Sequence, residues 1–405
     1  MNDRDFEKLI QTEISRRRLL RQAGGGVAAL SLASFLAACG DDEGIEGGGG
    51  GGGDESAEME PIAKGEVEDE LNFSNWPLYI DVKGGRRPTL DKFEEEYGTR
   101  VKYTEEINDN TEFFGKVRQL YARGQSGGRD LHVVTDWMAS RMKQLGYVQR
   151  FDKSELPNVE ANLLDSLREP SFDPNREFAI PWQSGMAAII YREDLTGGPI
   201  SSVNDLFDPK YKGKVTMLTE MRDTVGLVML GLGQNPEEAS TEEALEAIEK
   251  IDQAQKDGQI RRFTGNDYTK DLLKGDVVMS VGWSGDAIQL QADNENVKVL
   301  LPEEGFMLWS DNMQIPVGAP HAYTAQTFMD FVYQPEIAAD IAAWVNYVTP
   351  VKGVQEILQR KDPELAENPL IFPSDEDLER SYIFRELSAE EDRELSEAFQ
   401  RVIGA

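Results

Sequence analysis

Short apolar runs alternate with amphipathic segments along most of this chain, and this alternation limits its possible folds more than any other feature. Runs that begin at Leu71, Val101 and Leu131 have the length and composition of strands. Residues 89–97 and 110–123 instead repeat apolar side chains three or four positions apart, which is typical of one helical face. Strands that alternate with helices predict parallel strands joined by helical crossovers, so we expect an α/β protein.

The alternation continues toward the C-terminus. Further strands are predicted at 186–191, 215–218, 277–281 and 297–301, and further helices at 203–207, 225–232, 241–254, 324–333, 335–346 and near the end of the chain. Thr241 is predicted to cap its helix, because Glu242 and Glu243 occupy the first turn. About 340 residues follow this pattern, which is enough for two lobes of ordinary domain size.

Cys39 is the only cysteine among 405 residues, so no intramolecular disulfide can form and the fold must depend on a hydrophobic core. It ends the segment Leu36-Ala37-Ala38-Cys39, which resembles a bacterial lipobox, in which the cysteine is acylated. Upstream, Arg16-Arg17 and an apolar stretch resemble a twin-arginine export signal. A signal-anchor helix is the alternative, but a membrane span needs roughly 20 apolar residues and this stretch is shorter. We predict that residues 1–39 are a signal peptide and that lipidated Cys39 anchors the protein to a membrane, outside the cytoplasm.

The segment after Cys39 has the composition of a flexible linker. Seven consecutive glycines, residues 47–53, lie among acidic residues, and such a segment cannot bury enough apolar surface to fold. We therefore predict a linker over residues 40–66, which would hold a globular body away from the membrane.

The charge balance excludes some partners and favours others. The net charge is −32, and removal of residues 1–39 leaves 36 basic and 70 acidic residues, a net charge of −34. This balance argues against nucleic acid as a partner, because phosphate binding requires clustered Lys and Arg. It favours a cationic ligand, although an ordinary acidic surface would have the same composition.

The two histidines, His132 and His321, indicate neither a metal site nor a catalytic site. Neither has a second His or a Cys nearby at metal-ligand spacing, so we expect no metal and no cofactor. Histidine-based nucleophilic catalysis is disfavoured for the same reason. No Gly-x-Ser-x-Gly nucleophile elbow is predicted either, because the one run with this spacing, residues 124–128, follows a predicted helix instead of leading from a strand into a helix.

Aromatic and acidic residues recur together next to the ends of predicted strands. Because ligands of open α/β sheets bind outside the carboxyl ends of strands, five such loops could converge on one cleft. These loops hold the candidate pairs Trp76 and Tyr79, Asp136 and Trp137, Glu220 and Asp223, Trp283 with its neighbour Asp286, and Trp309 and Asp311.

This combination suits a flexible organic cation. Aromatic faces attract ammonium groups, and carboxylates hold them through charge-assisted hydrogen bonds. Packing in the core is the alternative role for any single tryptophan, and we assign that role to Trp182 and Trp344, which lack an acidic neighbour.

Several segments resemble the spermidine/putrescine-binding receptors of bacterial ABC transporters, and the resemblance extends over nearly everything from Leu71 onward. The segments that carry it are Asn75-Trp76-Pro77-Leu78-Tyr79, Asp205-Leu206-Phe207-Asp208-Pro209-Lys210-Tyr211-Lys212-Gly213-Lys214, Met221-Arg222-Asp223-Thr224, Gly282-Trp283-Ser284-Gly285, Glu303-Glu304-Gly305 and Tyr347-Val348-Thr349-Pro350.

The resemblance implies the type II periplasmic-binding-protein fold, in which two α/β lobes are joined by a hinge of two strand crossings and enclose a ligand cleft. On this basis we expect lobe I to contain residues 67–187 and 312–346. Lobe II is expected to contain residues 188–311 and 347–405.

The resemblance also implies roles for individual residues. Trp76, Tyr79, Trp137, Trp283 and Trp309 match aromatic positions that line or stack on a polyamine. Asp311 matches the carboxylate that grips one terminal amine, either Asp223 or Glu220 matches an acidic position that holds another, and Tyr347 matches an aromatic near the cleft rim. Asp136 departs from the family pattern, since hydroxyl residues are usual there, and it either adds a carboxylate or caps a helix.

The resulting hypothesis is a binding protein without chemistry of its own. It would capture putrescine or spermidine as a monomer and deliver the amine to membrane permease subunits. Another small cationic solute or an amino acid in the same fold is the first alternative. A surface hydrolase with paired carboxylates is a second, disfavoured because no nucleophile–base pair is evident.

Overall fold

The computed structural model describes residues 59–107 and 109–404. The predicted signal peptide, the lipidation site at Cys39 and most of the predicted linker lie outside these residues. Within the described part of the chain, no helix is long and apolar enough to cross a membrane.

A single mixed sheet of ten strands runs through the described residues, in the order β2-β1-β3-β9-β4-β7-β5-β6, with β8 beside β4 and β10 beside β9. The strands are β1 (Glu70–Asn75), β2 (Arg100–Glu105), β3 (Leu131–Thr135), β4 (Ile180–Arg192), β5 (Val215–Leu218), β6 (Ile260–Thr264), β7 (Met279–Trp283), β8 (Val297–Leu300), β9 (Phe306–Gln314) and β10 (Ser381–Tyr382).

Helices cover the sheet in both halves of the described chain. The α-helices are α1 (Pro88–Tyr97), α2 (Asn110–Tyr121), α3 (Asp136–Gln144), α4 (Pro157–Asn162), α5 (Glu193–Thr196), α6 (Met221–Gly231), α7 (Thr241–Lys256), α8 (Tyr268–Lys274), α9 (Ser284–Asp293), α10 (Ala322–Val332), α11 (Pro335–Val345), α12 (Val354–Lys361), α13 (Pro363–Ala366), α14 (Asp375–Glu379) and α15 (Ala389–Ile403). Short 3-10 helices span Lys153–Glu155, Asp165–Leu167, Val203–Phe207 and Pro209–Tyr211.

Two long strands join the lobes. β4 contains 13 residues, all buried, and it pairs antiparallel with β9 from Ile180 to Ala187. On one side of this pair, β1 lies parallel to β2 and β3, and on the other side β5 lies parallel to β6 and β7. The predicted parallel strands are therefore present within each lobe, whereas the hinge strands pair antiparallel with each other, with β3 and with β7. This is the two-lobe architecture expected from the sequence.

The buried side chains correct the expected lobe boundary. Val351, Val354 and Leu358 belong to the same buried cluster as Phe73 and Phe328 in lobe I. Residues 351–366 therefore pack in lobe I, and the assignment of all of 347–405 to lobe II is wrong for this part. Val348 packs against the lobe II core, which the chain joins again at Leu370 and through Leu395 and Phe399 of α15.

The predicted linker also extends too far. Ile62 is 6% exposed, and its backbone N–H donates to the carbonyl oxygen of Arg150 at 2.8 Å. The ammonium group of Lys64 lies 2.7 Å from Glu155. Residues 61–64 thus contact lobe I. The reason is that Ile62 and Lys64, unlike the glycine run, carry side chains that can be buried or ion-paired.

Capping residues define where several helices begin and end. Ser240, rather than the predicted Thr241, caps α7: its side chain accepts from the backbone of Glu243, whose carboxylate accepts from the backbone of Ser240. Asp109 caps α2 in the simpler way, through the backbone N–H of Glu112. Gly98 ends α1 in the left-handed region with φ 73°, a conformation that favours glycine.

Candidate functional site

Asp311 lies on the hinge strand β9, which joins the two lobes together with β4. The hydroxyl of Tyr79 donates to its Oδ2 atom at 2.9 Å, and the hydroxyl of Thr135 donates to its Oδ1 atom at 2.7 Å. Thr135 is directly opposite Asp311 in the antiparallel pairing of β3 with β9. The carboxylate is 6% exposed, so lobe I holds both of its oxygens in fixed positions.

This location corrects the predicted local structure. Trp309-Ser310-Asp311 was expected in a loop before the crossing, but it lies inside β9. Alternation along the strand places Trp309 and Asp311 on the same face of the sheet. The ligand candidates of this segment are therefore presented by a rigid strand.

Three aromatic rings adjoin Asp311. The ring of Tyr347 lies edge to face with the ring of Tyr79, at 5.8 Å between centroids, and with that of Trp309, at 5.2 Å. Trp182 supports Tyr79 from the core, since its indole N–H donates to the Tyr79 carbonyl at 3.2 Å and its side chain is 2% exposed. Tyr347 is itself buried, so it forms a wall of this aromatic group.

A second braced carboxylate lies on lobe II. The indole N–H of Trp283 donates to Oδ2 of Asp223 at 2.7 Å, and Asp223 is 6% exposed. Asp223 is in the first turn of α6, and Glu220 is the residue that precedes this helix. The hydroxyl of Tyr268 accepts from the backbone N–H of Trp283 at 2.9 Å, which fixes the end of β7.

Burial dominates the electrostatics of these acids. It raises the pKa of Asp311 to about 7, against the opposing hydrogen bonds from Thr135 and Tyr79, and the charge of Asp223 adds to the rise. Burial also raises the pKa values of Glu220 and Asp223, and their mutual repulsion raises that of Glu220 further. The acids of both lobes therefore lie within one electrostatic site, in which a cation would favour their charged forms.

The carboxylate of Asp136 is already hydrogen-bonded within the protein. The amide of Asn312 donates to its Oδ1 atom at 2.6 Å, and the guanidinium of Arg176 in turn donates to the Asn312 oxygen at 2.9 Å. Burial raises the pKa of Asp136 to about 6, while the charge of Arg176 opposes the rise. Asp136 is the first residue of α3 and Thr135 is at the N-cap position, so Asp136 does not cap this helix, and its role as a ligand carboxylate stays a prediction.

The two remaining aromatic candidates differ in their surroundings. Trp76 is partly buried, and its indole N–H donates to the carbonyl of Val133 at 3.1 Å. Trp137 is covered by a cation of the protein, because the guanidinium carbon of Arg222 lies 4.1 Å from its ring centroid. Arg222 comes from lobe II and also pairs with Asp392 at 2.7 Å.

Other contacts between the lobes lie beside Trp137. The hydroxyl of Ser140 and the amide of Gln144, both on α3, donate to Oε1 of Glu386 at 2.5 and 2.9 Å. Arg141 lies 3.6 Å from Asp392. These bonds link lobe I to the segment that precedes and begins α15.

The sequence did not point to Thr135, Ser140 or Glu386. Thr135 could have been found as the hydroxyl residue that ends a predicted strand beside Asp136. Ser140 and Glu386 carry no such signal, because they are 246 positions apart and meet only across the cleft.

Comparisons with known proteins identify the family of this chain. A family model described as bacterial extracellular solute-binding protein matches residues 89–373. The spermidine/putrescine-binding periplasmic protein of Salmonella typhimurium is 26% identical over 306 residues, which is 75% of this chain and 83% of the relative. A putrescine/agmatine-binding protein of Pseudomonas aeruginosa is 28% identical over 358 residues, which is 82% of this chain and 91% of the relative.

Among solved structures, the substrate-binding protein PotD of a spermidine/putrescine ABC transporter from Streptococcus pneumoniae, in complex with calcium and HEPES, has a TM-score of 0.70 and 26% identity. The match covers 83% of this chain and 98% of PotD. Two lobes that enclose an acidic and aromatic cleft on a paired-strand hinge define a solute-binding protein of the type II periplasmic class. This chain belongs to the bacterial extracellular solute-binding protein family.

The family is one of solute-binding transport proteins rather than enzymes, and its members act outside the cytoplasm. Among the residues that the structure describes, no group of three or more His, Cys, Asp or Glu side chains is arranged to hold a metal ion.

Proposed function

We propose that this protein captures a polyamine, putrescine or spermidine, in the cleft between its lobes and delivers it to the permease of an ABC transporter. It performs no chemistry on the amine. Lobe closure buries the ligand, and the closed form is what the permease recognises.

The observation that carries this proposal is the pair of buried carboxylates, Asp311 and Asp223, each braced by an aromatic donor. Tyr79 holds the first on the lobe I side, and Trp283 holds the second on lobe II. A linear molecule with an ammonium group at each end would neutralise both carboxylates together. The rings between them favour methylene groups and cations, through burial and cation–π attraction.

The magnitudes are sufficient for tight binding. Each carboxylate–ammonium bond and each cation–π contact contributes roughly 1–3 kcal/mol before the cost of desolvation. Two bonds and two or three rings would therefore hold an amine of this kind with the affinity that transport requires.

Other solutes fit the site less well. An amino acid needs a positive partner for its carboxylate, but Arg222 is already paired with Asp392 and stacked on Trp137. Arg176 is committed to Asn312 and to backbone carbonyls. Small cations such as agmatine share the required chemistry, so they belong in the test.

We further propose that the protein is exported, acylated at Cys39 and held at the outer face of a membrane. The glycine-rich segment after Cys39 would give the lobes freedom to close and to reach the permease. Fatty-acid labelling of the expressed protein, with a Cys39→Ser variant as control, tests this step, and equal labelling of both proteins would contradict it.

Isothermal titration of residues 40–405 with putrescine, spermidine, agmatine and lysine tests the ligand. We expect binding of at least one polyamine and little heat from lysine. Asp311→Asn should weaken amine binding at least tenfold, because one ammonium loses its ionic partner. No heat at millimolar concentrations of any amine would refute the proposal.

A further inference from the structure

Gly185 and Trp309 are direct partners in the antiparallel pairing of β4 with β9. A Cβ atom added to Gly185 would lie 2.8 Å from Cη2 and 2.9 Å from Cε2 of Trp309, and nearer still to Cζ2. These distances are shorter than van der Waals contact, so the indole ring rests on bare backbone. The φ angle of Gly185 is outside the left-handed region, so only the ring requires glycine at this position.

A second glycine has the same relation to a second ring. A Cβ atom at Gly285 would lie 2.6 Å from both Cε1 and Cζ of Tyr347. Gly285 is the second residue of α9 in lobe II, whereas Tyr347 follows α11 in lobe I. The Tyr347 ring therefore crosses between the lobes and is accommodated by the missing side chain.

We propose that Gly185 and Gly285 are positioning residues of the ligand site, which set how deeply the rings of Trp309 and Tyr347 are seated. A side chain at either glycine would push its ring toward the space reserved for the ligand. The two rings contact each other, and Tyr347 also contacts Tyr79, so a shift of either ring would reach the partner of Asp311. The inference rests on the proposed polyamine function, because it concerns the walls of that site.

The test is a double-mutant cycle on the pair in the hinge. Gly185→Ala should weaken putrescine and spermidine binding about tenfold, the loss expected when one ring leaves its contact geometry. Trp309→Phe removes the outer ring atoms that would clash, at the cost of a smaller aromatic face. If the glycine acts through the ring, Gly185→Ala should have little further effect in the Trp309→Phe background.

Gly231→Ala is the matched control. A Cβ atom there would lie 2.9 Å from Cγ1 of Val203, which is also shorter than van der Waals contact although less close than the approach at Gly185, at the far end of α6. This variant should lose thermal stability while its amine affinity stays within twofold of the wild type. The comparison separates crowding in general from crowding of a ligand-site ring.

Gly285→Ala is a second variant that tests the inference if Gly185→Ala does not fold. Alanine normally stabilises a helix relative to glycine, so without the ring this change would raise the melting temperature. We expect weaker amine binding instead, and recovery of the melting temperature in a Gly285→Ala/Tyr347→Leu protein. Unchanged affinity in both glycine variants would overturn the inference, whereas wild-type protein that binds no amine would refute the proposed function itself.

Discussion

The phenolic hydroxyl of Tyr79 donates to the carboxylate of Asp311 at 2.9 Å, although the two residues are 232 positions apart in the chain. Tyr79 follows the first strand of lobe I, and Asp311 lies on the hinge strand that leads to lobe II. The bond thus ties the carboxylate of Asp311, on the strand shared by both lobes, to lobe I.

Loss of that hydroxyl should weaken amine binding. We expect Tyr79→Phe to reduce affinity by about 1–2 kcal/mol, because Asp311 loses one of its two protein donors and its ionised form becomes less stable. Tyr323→Phe is the matched control, since Tyr323 donates to Glu155 at 2.7 Å on the outside of lobe I. Titration calorimetry of both variants checks the expectation, and an equal effect of the two changes would contradict it.

Amine binding should release protons near neutral pH. Burial raises the pKa of Asp311 to about 7 in the empty cleft, so the carboxyl is partly protonated there, and an ammonium ion binds only its charged form. Affinity is therefore expected to increase from pH 5 to pH 8. Titrations in buffers with different ionisation enthalpies measure the released protons, and Asp311→Asn should reduce their number.

The raised pKa of Asp311 should also change how the stability of the ligand-free protein depends on pH. The folded state binds a proton at Asp311 more tightly than the unfolded chain does, so this group's contribution to the free energy of unfolding falls as pH rises from about 4 to 7. Saturating amine should remove this loss. Thermal melts over this pH range, with and without putrescine, give the comparison.

The contacts between α3 and Glu386 should slow ligand release. Ser140 and Gln144 both donate to this carboxylate across the cleft, so Glu386→Ala should lower the population of the closed form and increase the dissociation rate several-fold. Glu390→Ala, an exposed acid on the same segment, is the control. Stopped-flow displacement measures both rates, and identical rates would show that Glu386 does not hold the lobes together.

His321 should stabilise the fold only while it is protonated. Burial opposes its charge, but the hydrogen bond and charge of Asp130, at 2.9 Å, prevail and raise its pKa. Its contribution is therefore fully present below pH 6.5 and is lost as pH rises through the higher folded pKa. We expect His321→Gln to cost about 1 kcal/mol at pH 5.5 and much less at pH 9, measured by urea unfolding.

Local pattern was sufficient for much of the fold. The strand at Leu131–Thr135 and the helices at Pro88–Tyr97 and Asn110–Tyr121 lie within two residues of their predicted ends, because their apolar spacing matches the face that they bury. Trp182 was correctly assigned to packing. These features depend on neighbours in sequence, for which periodicity is a direct physical signal.

Predictions from local sequence pattern failed where a segment is buried by strands that are distant in the chain. Ser310-Asp311-Asn312 is polar enough to indicate a loop, but β3 and β4 flank it on both sides and supply its partners. Residues 351–366 were placed in the wrong lobe for a similar reason, since apolar spacing in a helix does not identify the core that it joins.

The sequence by itself determined the alternation of strands and helices, the clustering of aromatic and acidic residues near strand ends, and the resemblance to a receptor family. Only the tertiary structure decided which of these residues contact one another. Asp311 meets Tyr79 and Thr135, Asp223 meets Trp283, and Trp137 meets Arg222 rather than open space. The physical reason is long-range pairing: the register of β9 with β3, which no local pattern encodes, places Asp311 opposite Thr135, and the other pairs likewise join elements that are distant in the chain.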